Sequence, residues 1–222
     1  MATARDKDLI VQVGDSAAAL HKASVWVNSK LPLNVTDNYL FEYYILLRLI
    51  LTLAHNYTIR FVPGTGDNRF NFPRSPANKN GWPRFDIYSK SDGTLLLQIC
   101  AGTKVSDIYG KERAPDISFQ NADSSDAPSW KDVKIIWDGK YRKKSSDSIT
   151  DHEFSSFSRW LEILRLRNKQ KPPINLNNLA QLLGNCLITN GVKSTELDAE
   201  CTRADLKEVT SFYPGKQFSV RP

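Results

Sequence analysis

The chain is poor in the residues from which many catalytic and structural sites are built. Its 222 residues include three cysteines and three histidines. Cys100, Cys186 and Cys201 are odd in number and far apart, which fits neither a disulfide framework nor the paired spacing of a zinc module. Reduced, structural thiols are expected. His21, His55 and His152 are too scattered to pair as ligands, and Asp151-His152-Glu153 reads as part of a helix cap. There is no long apolar run: YYILLRLILTLA, residues 43–54, is too short to span a bilayer and carries Arg48 in its middle. The first residues, MATARDKDLIVQVGDS, lack an apolar core of signal-peptide length, so a cytoplasmic protein with no membrane partner is expected. Ala101-Gly102-Thr103-Lys104 lacks the residue order of a phosphate-binding loop, no Gly-x-Ser-x-Gly elbow occurs, and nothing indicates a nucleotide cofactor.

What is present is a moderate excess of positive charge. Thirty Lys and Arg against 24 Asp and Glu give a net charge of +6 and a pI near 9.2, which favours an anionic partner. The length suits one domain, residues 1–222, with a core over about 36–190. A buried helix is predicted from about Asn38 to Asn56, capped by Thr36 or Asp37. Residues 62–84, crowded with Gly, Pro, Asn and Arg, read as a long irregular loop suited to substrate recognition, with Arg69, Arg74, Lys79 and Arg84 as candidate contacts. Strands follow in RFDIYSK, TLLLQICAGTK, APDISFQ and VKIIWDGKY. A capping box at Thr150 and Glu153 starts an amphipathic helix through Phe154, Phe157, Leu161 and Leu164. A short helix over 175–184, a strand CLITN, a helix near 196–206 and a strand EVTSFY complete the order. The pattern predicts an α/β domain, a mixed central sheet flanked by helices.

The strand pair APDISFQ and VKIIWDGKY carries the chemistry. Side chains alternate along a strand, so Ile117 and Phe119 share one face and Asp116, Ser118 and Gln120 the other. In the second strand Val133, Ile135 and Trp137 form one set, and Lys134, Ile136, Asp138 and Lys140 the opposite one. Antiparallel pairing would bring Asp116 and Asp138 within about 5–7 Å of each other beside Lys140. Two carboxylates that close repel unless a proton or cation lies between them. Their oxygen ligands suit Mg²⁺, with Mn²⁺ as a substitute. The acid-x-Lys spacing occurs three times, at Asp132, Asp138 and Asp205. Asp132 lies six residues back along the strand, about 20 Å away, and cannot share an ion with Asp116. Asp205-Leu-Lys207 ends a predicted surface helix.

Pro115-Asp116 with Asp138-Gly139-Lys140 resembles the two half-motifs of the PD-(D/E)xK nuclease superfamily, which has the restriction-endonuclease-like fold. The resemblance is specific over about 112–142 and extends by element order over 36–190. It implies a Mg²⁺-dependent endonuclease acting on DNA, in restriction or defence, as a homodimer or beside a partner subunit. Asp116, Asp138 and the Gly139 carbonyl would hold the ion, and Lys140 would orient the attacking water. Family members commonly add an acid from a preceding helix, where Glu42 stands; Glu42 would join the catalytic and metal-binding set. Glu42 falls at helical spacing with Ile45, Leu46, Leu49 and Leu53, so it needs a cationic partner, Lys140 or a metal, with Arg60 or Lys104 as structural alternatives. Tyr141, Arg142, Lys143 and Lys144 lead out of the site towards backbone phosphates. An inert nucleic-acid-binding or assembly module of the same fold, and a nuclease acting on RNA or single strands, are the alternatives.

Overall fold

The computed structural model describes residues 7–22, 35–64, 73, 75–194 and 198–221. Helix α2 (Asp37–Asn56) forms where the apolar run predicts it. The Thr36 hydroxyl accepts from the Tyr39 amide at 3.3 Å, and twelve of its twenty residues are buried. Helix α1 (Lys7–Lys22), which the sequence reading did not identify, packs on α2 through Leu9, Val13, Ala17 and Leu20.

Among the described residues ten strands follow: β1 (Tyr57–Val62), β2 (Arg84–Ser89), β3 (Leu95–Ala101), β4 (Val105–Ser106), β5 (Glu112–Arg113), β6 (Ile117–Asn121), β7 (Val133–Lys140), β8 (Asn185–Thr189), β9 (Leu206–Thr210) and β10 (Ser219–Arg221). Eight of them form one mixed sheet in the order β1-β2-β3-β6-β7-β8-β9-β10, while β4 and β5 pair as a separate ribbon. Pairing is antiparallel from β1 to β7, parallel from β7 through β9, and antiparallel again at β10. The protein is therefore α/β with a mixed sheet flanked by helices. The switch at β7 follows from the chain: short loops join β2 to β3, whereas helix α3 (Asp151–Ile163) makes the crossover to β8.

One sheet face packs against α2 and α1 through Phe85, Ile87, Ile99, Ile117, Phe119, Ile135 and Trp137. The opposite face of the parallel half packs against α3 and α4 (Asp198–Ala204) through Ile136, Leu187 and Leu206. Val133 departs from its expected set. The β6–β7 register shifts between Phe119 and Gln120, and Val133 joins Ile136 in the second cluster instead of Ile135 and Trp137 in the first. The predicted helix over 175–184 is a 3-10 segment, Asn177–Leu182, and the capping box of α3 is present as read. Among the described residues no helix is long and apolar enough to cross a membrane.

Candidate metal centre at a strand end

The register at the open end of β6 and β7 builds the site. Ile117 pairs with Trp137, Ser118 with Ile136 and Phe119 with Ile135, so the next position sets Asp116 against Asp138. The bulge lies further along, beyond this pair. Asp116 is held by its surroundings: its Oδ2 accepts from the Gly139 amide at 2.7 Å, and its carbonyl accepts from the Gly102 amide at 3.0 Å. Asp138 is buried, 6% exposed, and its Oδ2 lies 2.5 Å from the Lys140 ammonium. Strand alternation puts Asp138 and Lys140 on one side and Gly139 on the other.

Gly139 faces α2. A Cβ there would come within 2.9 Å of Ile45 Cδ1 and 3.4 Å of Glu42 Cγ. The missing side chain is what lets Glu42, on the opposite face, approach the edge where Asp138 and Lys140 sit. The middle residue of Asp-Gly-Lys thus has a steric function that spacing alone did not reveal. Lys140 is the cation beside Glu42. Lys104 pairs instead with Glu112 at 2.8 Å, and Arg60 is exposed on β1.

The three acids are crowded. Burial raises the Glu42 carboxyl to about 7, with Asp138 pushing the same way and Lys140 opposing. Asp116 is raised well above the usual carboxylate range, first by burial, then by the charges of Asp138 and Glu42 and a hydrogen bond to Asp138. Burial disfavours the Lys140 ammonium, yet Asp138, Asp116 and Glu42 outweigh it and lift its pKa. Three carboxyl groups thus share one lysine, and their mutual repulsion is relieved by keeping protons or by taking up a cation.

These oxygen donors fit a hard divalent cation. Among the described residues no three His, Cys, Asp or Glu side chains are grouped as a ready-made ion cage. Mg²⁺ does not require one, since it keeps several waters and uses one or two protein carboxylates. Asp116 and Asp138 supply that pair.

The candidate phosphate contacts separate in space. Arg69 and Arg74 lie outside the described residues. Lys79, expected on the recognition loop, is corrected: it is 2% exposed, and its ammonium donates to the carbonyls of Ser124 and Ser125 and to the Ser124 hydroxyl at 2.9–3.1 Å. Burial lowers its pKa, and its charge is spent holding the 121–130 loop. Arg142 is also engaged internally, its guanidinium forming a two-pronged pair with Glu153, while Asn190 accepts from its amide and donates to its carbonyl. Tyr141 packs on Phe41 with ring centres 6.0 Å apart. Arg84 pairs with Asp86 at 3.0 Å. Lys143 and Lys144 remain exposed beyond the end of β7. Sequence reasoning missed the Asn190 and Glu153 anchors; the capping box was a local signal for Glu153, but its reach to Arg142 is a tertiary contact.

No protein-family model matches the chain, and neither a curated protein nor a solved structure is similar to it.

Proposed function

We propose that the protein is a divalent-metal-dependent endonuclease that hydrolyses phosphodiester bonds in DNA, with a restriction-endonuclease-like core formed by α2, β2, β3, β6, β7, α3 and β8. The observation that carries this reading is the opposition of Asp116 and Asp138 at one strand end, with Lys140 beside them and Glu42 reaching the same edge past Gly139. Strand-terminal acids are common for structural reasons. Two opposed strand-end acids and a third from α2 around one lysine, with the Asp116 and Glu42 carboxyls pushed upward, are a costlier arrangement than structure requires.

Asp116 and Asp138, with the Gly139 carbonyl and Glu42 available, would hold Mg²⁺ or Mn²⁺. A bound ion of this kind polarises a phosphodiester and lowers the pKa of an attached water. The chain's own residues do the rest. The Gly139 amide holds the Asp116 carboxyl beside Asp138. Lys140 leaves Asp138 to orient the attacking water and to offset charge on the pentavalent phosphorus. Lys143 and Lys144 continue outward, where a backbone phosphate would pass. The biological setting we infer is restriction or defence in the cytoplasm, where cutting both strands favours a homodimer or a partner subunit.

The experiment is incubation of the purified chain with supercoiled plasmid in Mg²⁺, Mn²⁺ or EDTA, beside Asp138→Ala and Lys140→Ala. Metal-dependent nicking or linearisation that both variants lose is expected. Salt-sensitive DNA binding without cleavage would replace this reading with an inert binding module, and cleavage of RNA or single strands alone would change the substrate.

A further inference from the structure

Helix α2 carries a second, unrelated feature on another of its faces. Arg48, Thr52 and His55 follow one another at helical spacing and interrupt an otherwise apolar helix. Across from them α1 presents the polar residues Gln12, Asp15 and Ser16, with the small Ala19, next to the apolar stripe that packs on α2. Small residues at Ser16 and Thr52, each 5% exposed, leave the floor between the helices open. The result is a groove of about 490 Å³, closed at one end by Asn177 and Asn178, a size in the range of small-molecule sites.

Arg48 and two asparagine amides give the groove a set of donors. The Arg48 guanidinium is half-buried in the groove wall, and among the described residues no carboxylate pairs with it, although Asp15 lines the same groove. Asn178 Oδ1 accepts from the Thr52 hydroxyl at 3.3 Å and Asn177 Oδ1 accepts from Asn56 at 2.8 Å, which leaves both amide NH₂ groups available. The carbonyls at the end of α2, which would repel an anion, are covered by Lys90, whose ammonium donates to Ala54 at 3.2 Å and His55 at 2.8 Å. A guanidinium fork with amide NH₂ groups lining the same groove suits a phosphate, which offers more oxygens to donors than a carboxylate does. Asp15, the one acid lining the groove, supplies an acceptor of the kind a hydroxyl group uses.

We infer that the α1–α2 groove is a binding site for a small phosphomonoester bearing hydroxyl groups, gripped by Arg48 and Asn178. The site is separate from the strand-end acids, because Glu42 lies on a different face of α2.

The test is titration calorimetry of the full chain in EDTA with adenosine 5′-monophosphate, inorganic phosphate and adenosine. Saturable binding of the monophosphate is expected, weaker binding of phosphate, and none of adenosine. Arg48→Gln should weaken binding by on the order of tenfold or more, and Asn178→Asp, which replaces a donor with an acid, should do the same. Asp138→Asn should bind like the parent. Circular dichroism of each variant establishes that it is folded, and Asn178→Asp, on a surface segment, keeps the test informative if Arg48→Gln is not. No binding by the parent, or binding lost in Asp138→Asn and kept in Arg48→Gln, would overturn the assignment. Neither result depends on cleavage of DNA.

Discussion

A lone carboxylate, Glu153, and a cluster of three, Glu42, Asp116 and Asp138, flank the end of β7, and the protein treats them in opposite ways. Glu153 accepts from the Arg142 guanidinium, the Thr150 amide and the Thr150 hydroxyl. Burial raises its pKa, but these donors outweigh burial and bring it to about 2. Glu42 and Asp116, at the neighbouring strand end, share one lysine with Asp138 and are pushed upward. Both Glu153 oxygens have donors, and the result is a fixed exit from β7. The cluster of three is short of positive charge by construction. An acid used for structure is supplied with donors by the fold, whereas an acid left short of them is suited to a cation that arrives from outside.

Removing the unsatisfied cluster should therefore abolish chemistry and spare the fold, and removing the satisfied one should do the reverse. Lys140→Ala and Asp138→Ala are each expected to reduce plasmid cleavage by about 10²-fold or more, near 2.7 kcal/mol of barrier, with a far-ultraviolet spectrum like the parent's. Equal cleavage by either variant would place the chemistry elsewhere. Gly139→Ala tests the link between strand and helix. Its new Cβ would press on Ile45 at 2.9 Å, at a cost of about 1–3 kcal/mol of stability, measured by urea unfolding. A neutral result would mean that α2 can retreat and that Glu42 is not held at the edge by close packing.

Glu153→Gln comes next. The group is partly exposed, so its lowered pKa is worth about 1–2 kcal/mol once solvent screening is allowed for. The sign is that of a depressed carboxylate: its contribution is present above the unfolded value near 4.5 and disappears as pH falls towards 2. The parent should lose stability over that window more steeply than Glu153→Gln, by chemical unfolding at pH 2.5–5. Parallel curves would remove Glu153 as the anchor of Arg142.

The sequence made the strand-end site legible because every step towards it is short-ranged. Alternation sorts Asp116 from Ile117 and Asp138 from Trp137, and a polar loop between two strands implies antiparallel pairing; the register then has only to hold for one pair beyond the strand. It holds because the bulge falls at Phe119 and Gln120, on the far side. The same bulge explains the misplaced Val133, since a one-residue slip exchanges faces and nothing local announces it. Helix α2 was legible from its apolar run and cap. Helix α1 was not, because its stripe of Leu9, Val13, Ala17 and Leu20 is diluted by polar residues and gains its meaning only on α2. Lys79 and Arg142 show the limit on the charged side. A basic residue in a loop looks the same in sequence whether it faces phosphate or, as here, the carbonyls of Ser124 and Ser125 or the carboxylate of Glu153.

The smallest expected effect isolates the repulsion within the unsatisfied cluster. Glu42 has a folded pKa of about 7 against 4.5 unfolded, and Asp116 is displaced in the same direction. Between those values the folded state keeps a proton that the unfolded state has released, so stability falls as pH rises from 4.5 to 7. Asp138→Asn removes the largest charge contribution to both shifts but leaves burial, their larger cause. Its unfolding free energy in EDTA should therefore decline less steeply across that window, ending higher than the parent's by about 1 kcal/mol at pH 7. Mg²⁺ should raise the parent's stability at pH 7 and leave Asp138→Asn nearly unchanged, because the ion replaces the protons only where both carboxylates are present. If the two proteins respond alike to pH and to Mg²⁺, Asp116 and Asp138 do not share a charge environment, and the contrast with Glu153 reduces to a difference in burial.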